Sequence, residues 1–131
     1  MQMGFKETLN RNFNNHSETR DKHWDKALQT HYFKTTKDKA FDKLEPLFNN
    51  MKECQVVGIS KEHGEISFNY KAGRKVFVIM TIIMVKPYRT AIDISATTES
   101  AIPFDFGYSH KLIPKLYDII KQQLDFIGTT E

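Results

Sequence analysis

"CQVVGISKEHGEISFNYKAGRKVFVIMTIIMVKPYRTAIDISATT" (residues 54–98) is the stretch whose reading decides the fold. Three short breaks, "KEHG" (61–64), "KAGR" (71–74) and "KPYR" (86–89), divide it into four apolar runs. Alternation of apolar and polar residues is the signature of a strand with one face toward a core. Gly64 and Gly73 supply the positive φ that a tight turn demands. The pattern therefore predicts four consecutive strands in an antiparallel meander. The third run is apolar on both parities: Phe77, Ile79, Thr81 and Ile83 on one side, Val76, Val78, Met80, Ile82 and Met84 on the other. Such a strand is expected at the centre of a sheet, covered on both faces. In the fourth run Ile92, Ile94 and Ala96 alternate with Asp93, Ser95 and Thr97, so one of its faces is polar.

Working outward, "LQTHYFKT" (28–35) reads as a further short strand. "TTKDKAFDKLEPLFNNM" (35–51) changes to helical spacing, with Ala40, Phe41, Leu44, Leu47, Phe48 and Met51 in one stripe. Thr35 and Asp38 form a variant capping box, and Pro46 is expected to kink the helix or loosen its last turn. Downstream, "SHKLIPKLYDIIKQQLDFI" (109–127) carries Leu112, Ile113, Leu116, Tyr117, Ile120 and Leu124 as a second stripe, with Ser109 as the expected N-cap. Strands in a block with helices on either side indicate α+β rather than alternating βαβ units. The reading is one α+β domain over 26–131: an antiparallel meander sheet of four to five strands, two main helices near 36–51 and 109–126 packed on one face, and a polar N-terminal arm over 1–25. In that arm Phe5, Leu9 and Phe13 recur at four-residue spacing, and Trp24 is expected to anchor it to the body.

The totals bound the function. At 131 residues the chain has the size of one domain, and 40% hydrophobic with 12% aromatic content suits a packed core. A net charge of +3 is too slight for nucleic-acid binding by charge alone. Cys54 is the only cysteine, so no intramolecular disulfide is available and a reducing compartment is expected. The opening residues show neither an apolar signal core nor a cleavage pattern. "VFVIMTIIMV" (76–85) is about half of the ~20 residues that a spanning helix needs. A cytoplasmic protein without a membrane segment is the expectation.

Chemistry is sparse. "PFDFGYSHK" (103–111) contains Asp105-Phe106-Gly107, the magnesium-holding tripeptide of protein kinases. No glycine-rich phosphate loop or catalytic loop accompanies it, and the chain is too short for two lobes, which excludes that role. Pro103, Gly107 and Ser109 instead suit a corner that leads into a helix. His110 and Lys111 at that helix start could hold a carboxylate or phosphate. Asp93, Ser95, Thr97 and Glu99 share one face of a strand. A buried Asp93 without a cationic partner would be a candidate for acid–base work, and Arg89 is close enough in sequence to be that partner; a solvated face is the plainer reading. Histidines 16, 23, 31, 63 and 110 lack the spacing of a zinc site. Cys54 beside Glu53 reads as an inert thiol. Lys71, Arg74, Lys75, Lys86 and Arg89 interleave with Tyr70 and Tyr88, as some RNA surfaces do, but interspersed acids favour a solvated rim.

"TRDKHWDKALQTHYFKTTKDKAF" (19–41), "GISKEHGEISFN" (58–69) and "VKPYRTAIDISATTESAIPFDFGYSHKLI" (85–113) together resemble a family of small uncharacterised bacterial cytosolic proteins. The layout "IDISATTES…DFGYSHKLIPKLY" is more distantly similar to a widespread bacterial domain of unknown function. The resemblance implies an α+β domain and a bacterial cytosol, and it implies no activity. A site shared with that family would fall on Arg89, Asp93, Ser95, Asp105, Gly107 and Ser109.

The expectation is a non-enzymatic module that binds a small, anionic ligand or a protein, including a second copy through the sheet face. The ligand-binding candidates are Arg89, Asp93, Ser95, Asp105, Ser109, His110 and Lys111. No catalytic residue, metal or cofactor is assigned, and nucleic acid is not the expected partner. The alternative is a small hydrolase or isomerase with an acid–base site around Asp93, Glu99 and His110.

Overall fold

The computed structural model describes residues 16–98 and 108–129. The elements in chain order are β1 (His16–Glu18), a one-turn 3-10 helix (Lys26–Leu28), β2 (His31–Phe33), α1 (Lys37–Asn49), β3 (Cys54–Ser60), β4 (Glu65–Ala72), β5 (Arg74–Lys86), β6 (Arg89–Thr98), α2 (Tyr108–Lys121) and β7 (Phe126–Gly128). The fold is α+β. Strands β3, β4, β5 and β6 form the antiparallel meander that their period and turns predict.

The sheet is larger than the four to five strands expected. It has seven, in the order β3-β4-β5-β6-β2-β7, with β1 also pairing β6. The two additional strands are only three residues long, too short for a period to show: β1 lies in the polar N-terminal arm, and β7 begins at residue 126, where the expected last helix ends. Strand β6 shares one edge between two partners. Thr97, Ala96 and Ser95 pair with β1, and Ile92, Ala91 and Thr90 pair with β2.

Parity on the central strands is as the alternation predicts. Val76, Val78, Met80 and Ile82 of β5 and Ile92, Ile94 and Ala96 of β6 are buried in one cluster with Ile66, Phe68 and Tyr70 of β4. Ala40, Phe41, Leu44 and Phe48 of α1 and Leu112, Ile113, Leu116, Tyr117 and Ile120 of α2 complete that cluster, so both helices serve the same sheet face. Phe48 stacks on Phe68 with ring centroids 5.1 Å apart. Burying each side chain of this size contributes about 1.5–3 kcal/mol, which makes this layer the main source of stability. On the opposite face Phe77, Ile79, Thr81, Asp93, Ser95 and Thr97 are half-buried, and Ile83 is exposed.

Helix α1 is capped one residue later than the capping-box reading had it. Thr36 is the N-cap and its Oγ1 accepts the Lys39 amide at 3.2 Å, whereas Thr35 is buried and its carbonyl accepts the Thr90 hydroxyl. Pro46 lies within the last turn, where the amide it lacks costs only one intrahelical bond, and the helix ends three residues on. Helix α2 begins at Tyr108, so Ser109 belongs to its first turn rather than preceding it as a cap. Gly64 has φ +69° and a Cβ there would stand 2.2 Å from the Ile82 carbonyl oxygen, which accounts for glycine in "KEHG". That close approach carries a bond, since the Ile82 amide donates to the Gly64 carbonyl at 2.7 Å. No helix among the described residues is long and apolar enough to cross a membrane.

Candidate interaction site

Arg89, Asp93 and Ser95 lie along β6 on the face away from the helices, with Asp93 paired to Thr81 and Ser95 to Ile79 of β5. Lys111 is exposed in the first turn of α2. Glu99 and Asp105 lie outside the described residues, as do the side chains of Ser109 and His110.

The environment of Asp93 is neither open water nor a cationic pocket. One oxygen, Oδ1, accepts the hydroxyls of Thr19 (2.7 Å) and Thr30 (2.6 Å). Thr19 Oγ1 also accepts the Ile94 amide at 2.8 Å, and the Thr19 amide donates to the Ile94 carbonyl at 2.8 Å. Thr19 thus fills the place of a pairing residue where β6 passes from β1 to β2. Asp93 fastens the segment 19–30 to the sheet. Arg89 is not its partner, for the guanidinium carbon stands 4.8 Å from the centroid of Tyr32. The Tyr32 hydroxyl donates to Asp21, a second tie of the same segment. These polar ties hold it down, and Trp24 is 49% exposed.

Behind this seam lies His31, stacked on Tyr117 with ring centroids 3.6 Å apart and nearly parallel. Its Nδ1 lies 2.8 Å from the Gln29 carbonyl, a contact that fixes the N–H on Nδ1. Burial, with Lys121 nearby, lowers its pKa from 6.5 to about 4 despite the Gln29 bond, so the ring is neutral at pH 7. The Tyr117 hydroxyl donates to the Ile92 carbonyl at 2.7 Å, and burial pushes its pKa far up. Both rings are core supports. Cys54 is similar: burial, then Glu53, pushes the thiol up to about 11, which leaves it protonated and inert. No group of three or more histidine, cysteine or acidic side chains suited to a metal occurs among the described residues.

A different feature stands out at the far end of the β5–β6 hairpin. The two strands, of thirteen and ten residues, are the longest in the sheet. Past Ile82 their side chains leave the core: Ile83, Met84, Val85 and Tyr88 are each 40–55% exposed. Tyr88 occupies φ 55°, the left-handed region that a bulky residue enters only at a cost of about 1–2 kcal/mol. Lysines frame this apolar tip. The Lys39 ammonium lies 5.9 Å from the Tyr88 ring centroid, Lys37 reaches the Glu62 carbonyl at 2.8 Å, and Lys86 is exposed on the turn. Between the tip and the α1 N-terminus opens a cavity of about 410 Å³ lined by Thr36, Lys37, Asp38, His63, Ile82, Ile83 and Met84. A neighbouring hollow of about 330 Å³ is lined by Lys34, Lys39 and Lys43 together with Asp42, Gln123 and Asp125.

The sequence carried a signal for this tip. "IIMV" remains apolar on both parities right up to the turn, and "KPYR" places tyrosine where the first two turns of the meander have glycine. The basic–aromatic cluster, by contrast, divides. Lys71, Arg74 and Lys75 belong to the opposite end of the meander, and Tyr70 is buried under Lys115. Comparison of the chain with protein-family models, with curated proteins and with solved structures finds no match.

Proposed function

We propose that this chain is a non-enzymatic binding module that presents the β5–β6 hairpin tip to a protein partner. The occupant it fits is a short apolar segment flanked by carboxylates. Apolar side chains of that segment enter the cavity beside Ile83 and Met84, and its acids meet Lys37, Lys39 and Lys86. The observation that carries this reading is the run of exposed apolar residues at the tip, ending in a tyrosine held in a strained backbone. Exposed apolar clusters rimmed by charge mark interaction surfaces, and backbone strain that the surrounding structure must maintain tends to collect at working sites. The engagement of Asp93 Oδ1 by two hydroxyls supports an anchoring role for that carboxylate in preference to the acid–base alternative.

The test is photo-crosslinking in cells from position 84 or 88, with position 75 at the other end of the meander as control. The reading expects one discrete adduct from 84 and 88, absent from 75, whose linked peptide carries acids around apolar residues. Lys39→Glu with Lys86→Glu should abolish it. Identical adducts from all three positions, or none, would overturn the reading.

A second reading has the hollow between Lys34, Lys39 and Lys43 as a site for a small anion. Asp42 is already engaged by Lys61 at 3.0 Å, so three lysines face a single remaining lining acid, Asp125. Titration with pyrophosphate, followed by amide shifts at residues 34–43, distinguishes the two. Saturable shifts that Lys34→Gln with Lys39→Gln removes would favour the anion.

A further inference from the structure

We infer, on the reading of the hairpin tip as a docking surface, that its partner is a second copy of this chain, each tip resting on the other's β7 segment about a two-fold axis. The tip asks for an exposed apolar segment beside carboxylates. Outside the tip, the large apolar side chains exposed among the described residues are Trp24, Val57, Ile59, Phe126 and Ile127. Trp24 stands singly, and the acids near it are committed, Asp21 to the Tyr32 hydroxyl and Asp25 to the Ala27 amide. Phe126 and Ile127 are adjacent, with exposed Asp125 directly before them and exposed Asp118 in the last turn of α2. The chain thus carries a segment of the chemistry that its own tip would take.

Strand register sets the two surfaces for a reciprocal contact. Met84 pairs with Thr90, Thr90 with Phe33 and Phe33 with Phe126, so these four form one row across β5, β6, β2 and β7. Three strand spacings separate Met84 from Phe126, about 14 Å. Past that row the hairpin runs on to Lys86 and Arg89, which pair with each other, whereas β2 stops at Phe33 and β7 starts at Phe126. This end of the sheet is therefore a step, a projecting tip beside a lower ledge. A half-turn about an axis normal to the sheet, between β6 and β2, sets the tip of one copy on the ledge of the other and repeats the contact in reverse. A second copy covers Phe126 and Ile127 in the act of covering Met84 and Tyr88; a segment bound at the tip alone leaves them exposed. Charge agrees with this seating, which brings Lys86 of one copy toward Asp125 of the other. Among the described residues neither side chain takes part in an ion pair or a side-chain hydrogen bond. Lys121, which lies 4.3 Å from the Phe126 ring centroid, is already occupied there.

The purified chain with a photo-crosslinker at position 84 is the test. A mixture of isotope-labelled and unlabelled chains should give adducts of twice the chain mass that join the two, with the link within residues 122–129. Sedimentation velocity across a concentration series should show a reversible dimer of micromolar strength, as contacts at or below ~1,200 Å² form. Met84→Glu should leave the chain folded, by circular dichroism, and monomeric. Lys86→Glu and Asp125→Lys each turn two symmetry-related attractions into repulsions, and each should weaken dimerisation by about tenfold. The two together should restore it to within about threefold. A chain monomeric at the highest concentrations overturns the inference, as does a dimer linked elsewhere or a double variant no better than the singles. The failures separate. A monomer whose position 84 still captures one discrete foreign protein in cells removes the second copy and keeps the tip as a docking surface, whereas no adduct in either setting removes both.

Discussion

Thr19→Val is the most informative perturbation of the seam between the N-terminal segment and β6. Thr19 is buried, and its one hydroxyl does two things: it accepts the Ile94 amide at 2.8 Å and donates to Asp93 Oδ1 at 2.7 Å. Valine keeps the branched shape and removes both. Leaving the buried Ile94 amide without an acceptor costs about 1–3 kcal/mol, and a hydrogen bond to a charged acceptor is worth about 1.5–3 kcal/mol. The losses do not add in full, since Asp93 keeps the Thr30 hydroxyl, and the expected destabilisation is about 2–4 kcal/mol. Urea unfolding followed by far-UV circular dichroism measures it, with an unchanged m-value to show that the midpoint shift reports stability. The Ile94 amide should also lose its protection from exchange. Thr19→Ser, which retains the oxygen, should recover most of the loss. A Thr19→Val penalty under about 0.5 kcal/mol, or a serine variant no better than valine, would refute the claim that this hydroxyl completes the sheet.

Other perturbations probe other features. Tyr88→Gly removes the left-handed penalty of about 1–2 kcal/mol and adds about 0.5–1 kcal/mol of unfolded-state freedom, so thermal unfolding should show stability unchanged or slightly raised while crosslinking from position 84 is lost. Gly64→Ala meets both a positive φ and the Ile82 carbonyl, and chemical denaturation should show a loss above about 2 kcal/mol. For His31 the folded pKa of about 4 lies below the ordinary 6.5, so the unfolded chain takes up the proton that the folded chain resists. Stability is full above pH 6.5 and declines as the pH falls toward 4. His31→Phe should flatten denaturation midpoints over that window, and an unchanged slope would exclude His31 as its source.

What was legible in the sequence follows the length of the elements. The meander could be read because strands of seven to thirteen residues repeat their alternation often enough to exceed chance, and because Gly64 and Gly73 mark their turns. The helices could be read from stripes such as Ala40, Phe41, Leu44 and Phe48. Strand β2, also of three residues, shows only through the β-rich run "LQTHYFKT" around it; β1 and β7 have no such run, and what makes them strands is the edge that accepts them. For Asp93 the sequence favours a solvated face and offers Arg89 as a partner; the hydroxyls that engage it are not legible there. Thr19 and Thr30 lie more than sixty residues away, and no local pattern connects a threonine to a distant carboxylate. The hairpin tip was half legible: its apolar run could be seen, while its emergence from the core depends on where α1 stops covering the sheet.

The way β6 gathers β1 and β2 along one edge bears on how the protein is made. His16 pairs with Thr97 and His31 with Ile92, so the first two strands have no partner until the last strand of the meander has been synthesised. At ~5–20 residues per second, β2 waits on the order of 3–12 s after its own synthesis for β6 to emerge. Through that interval His31, Tyr32 and Phe33, all destined for burial, stay accessible to chaperones and proteases. The meander is the local, early-forming part, and the N-terminal strands are assembled onto it last. Slowed translation within residues 54–98 would therefore lengthen the period of exposure, which ends only when Tyr117 of α2 and Phe126 of β7 have followed to cover His31 and Phe33.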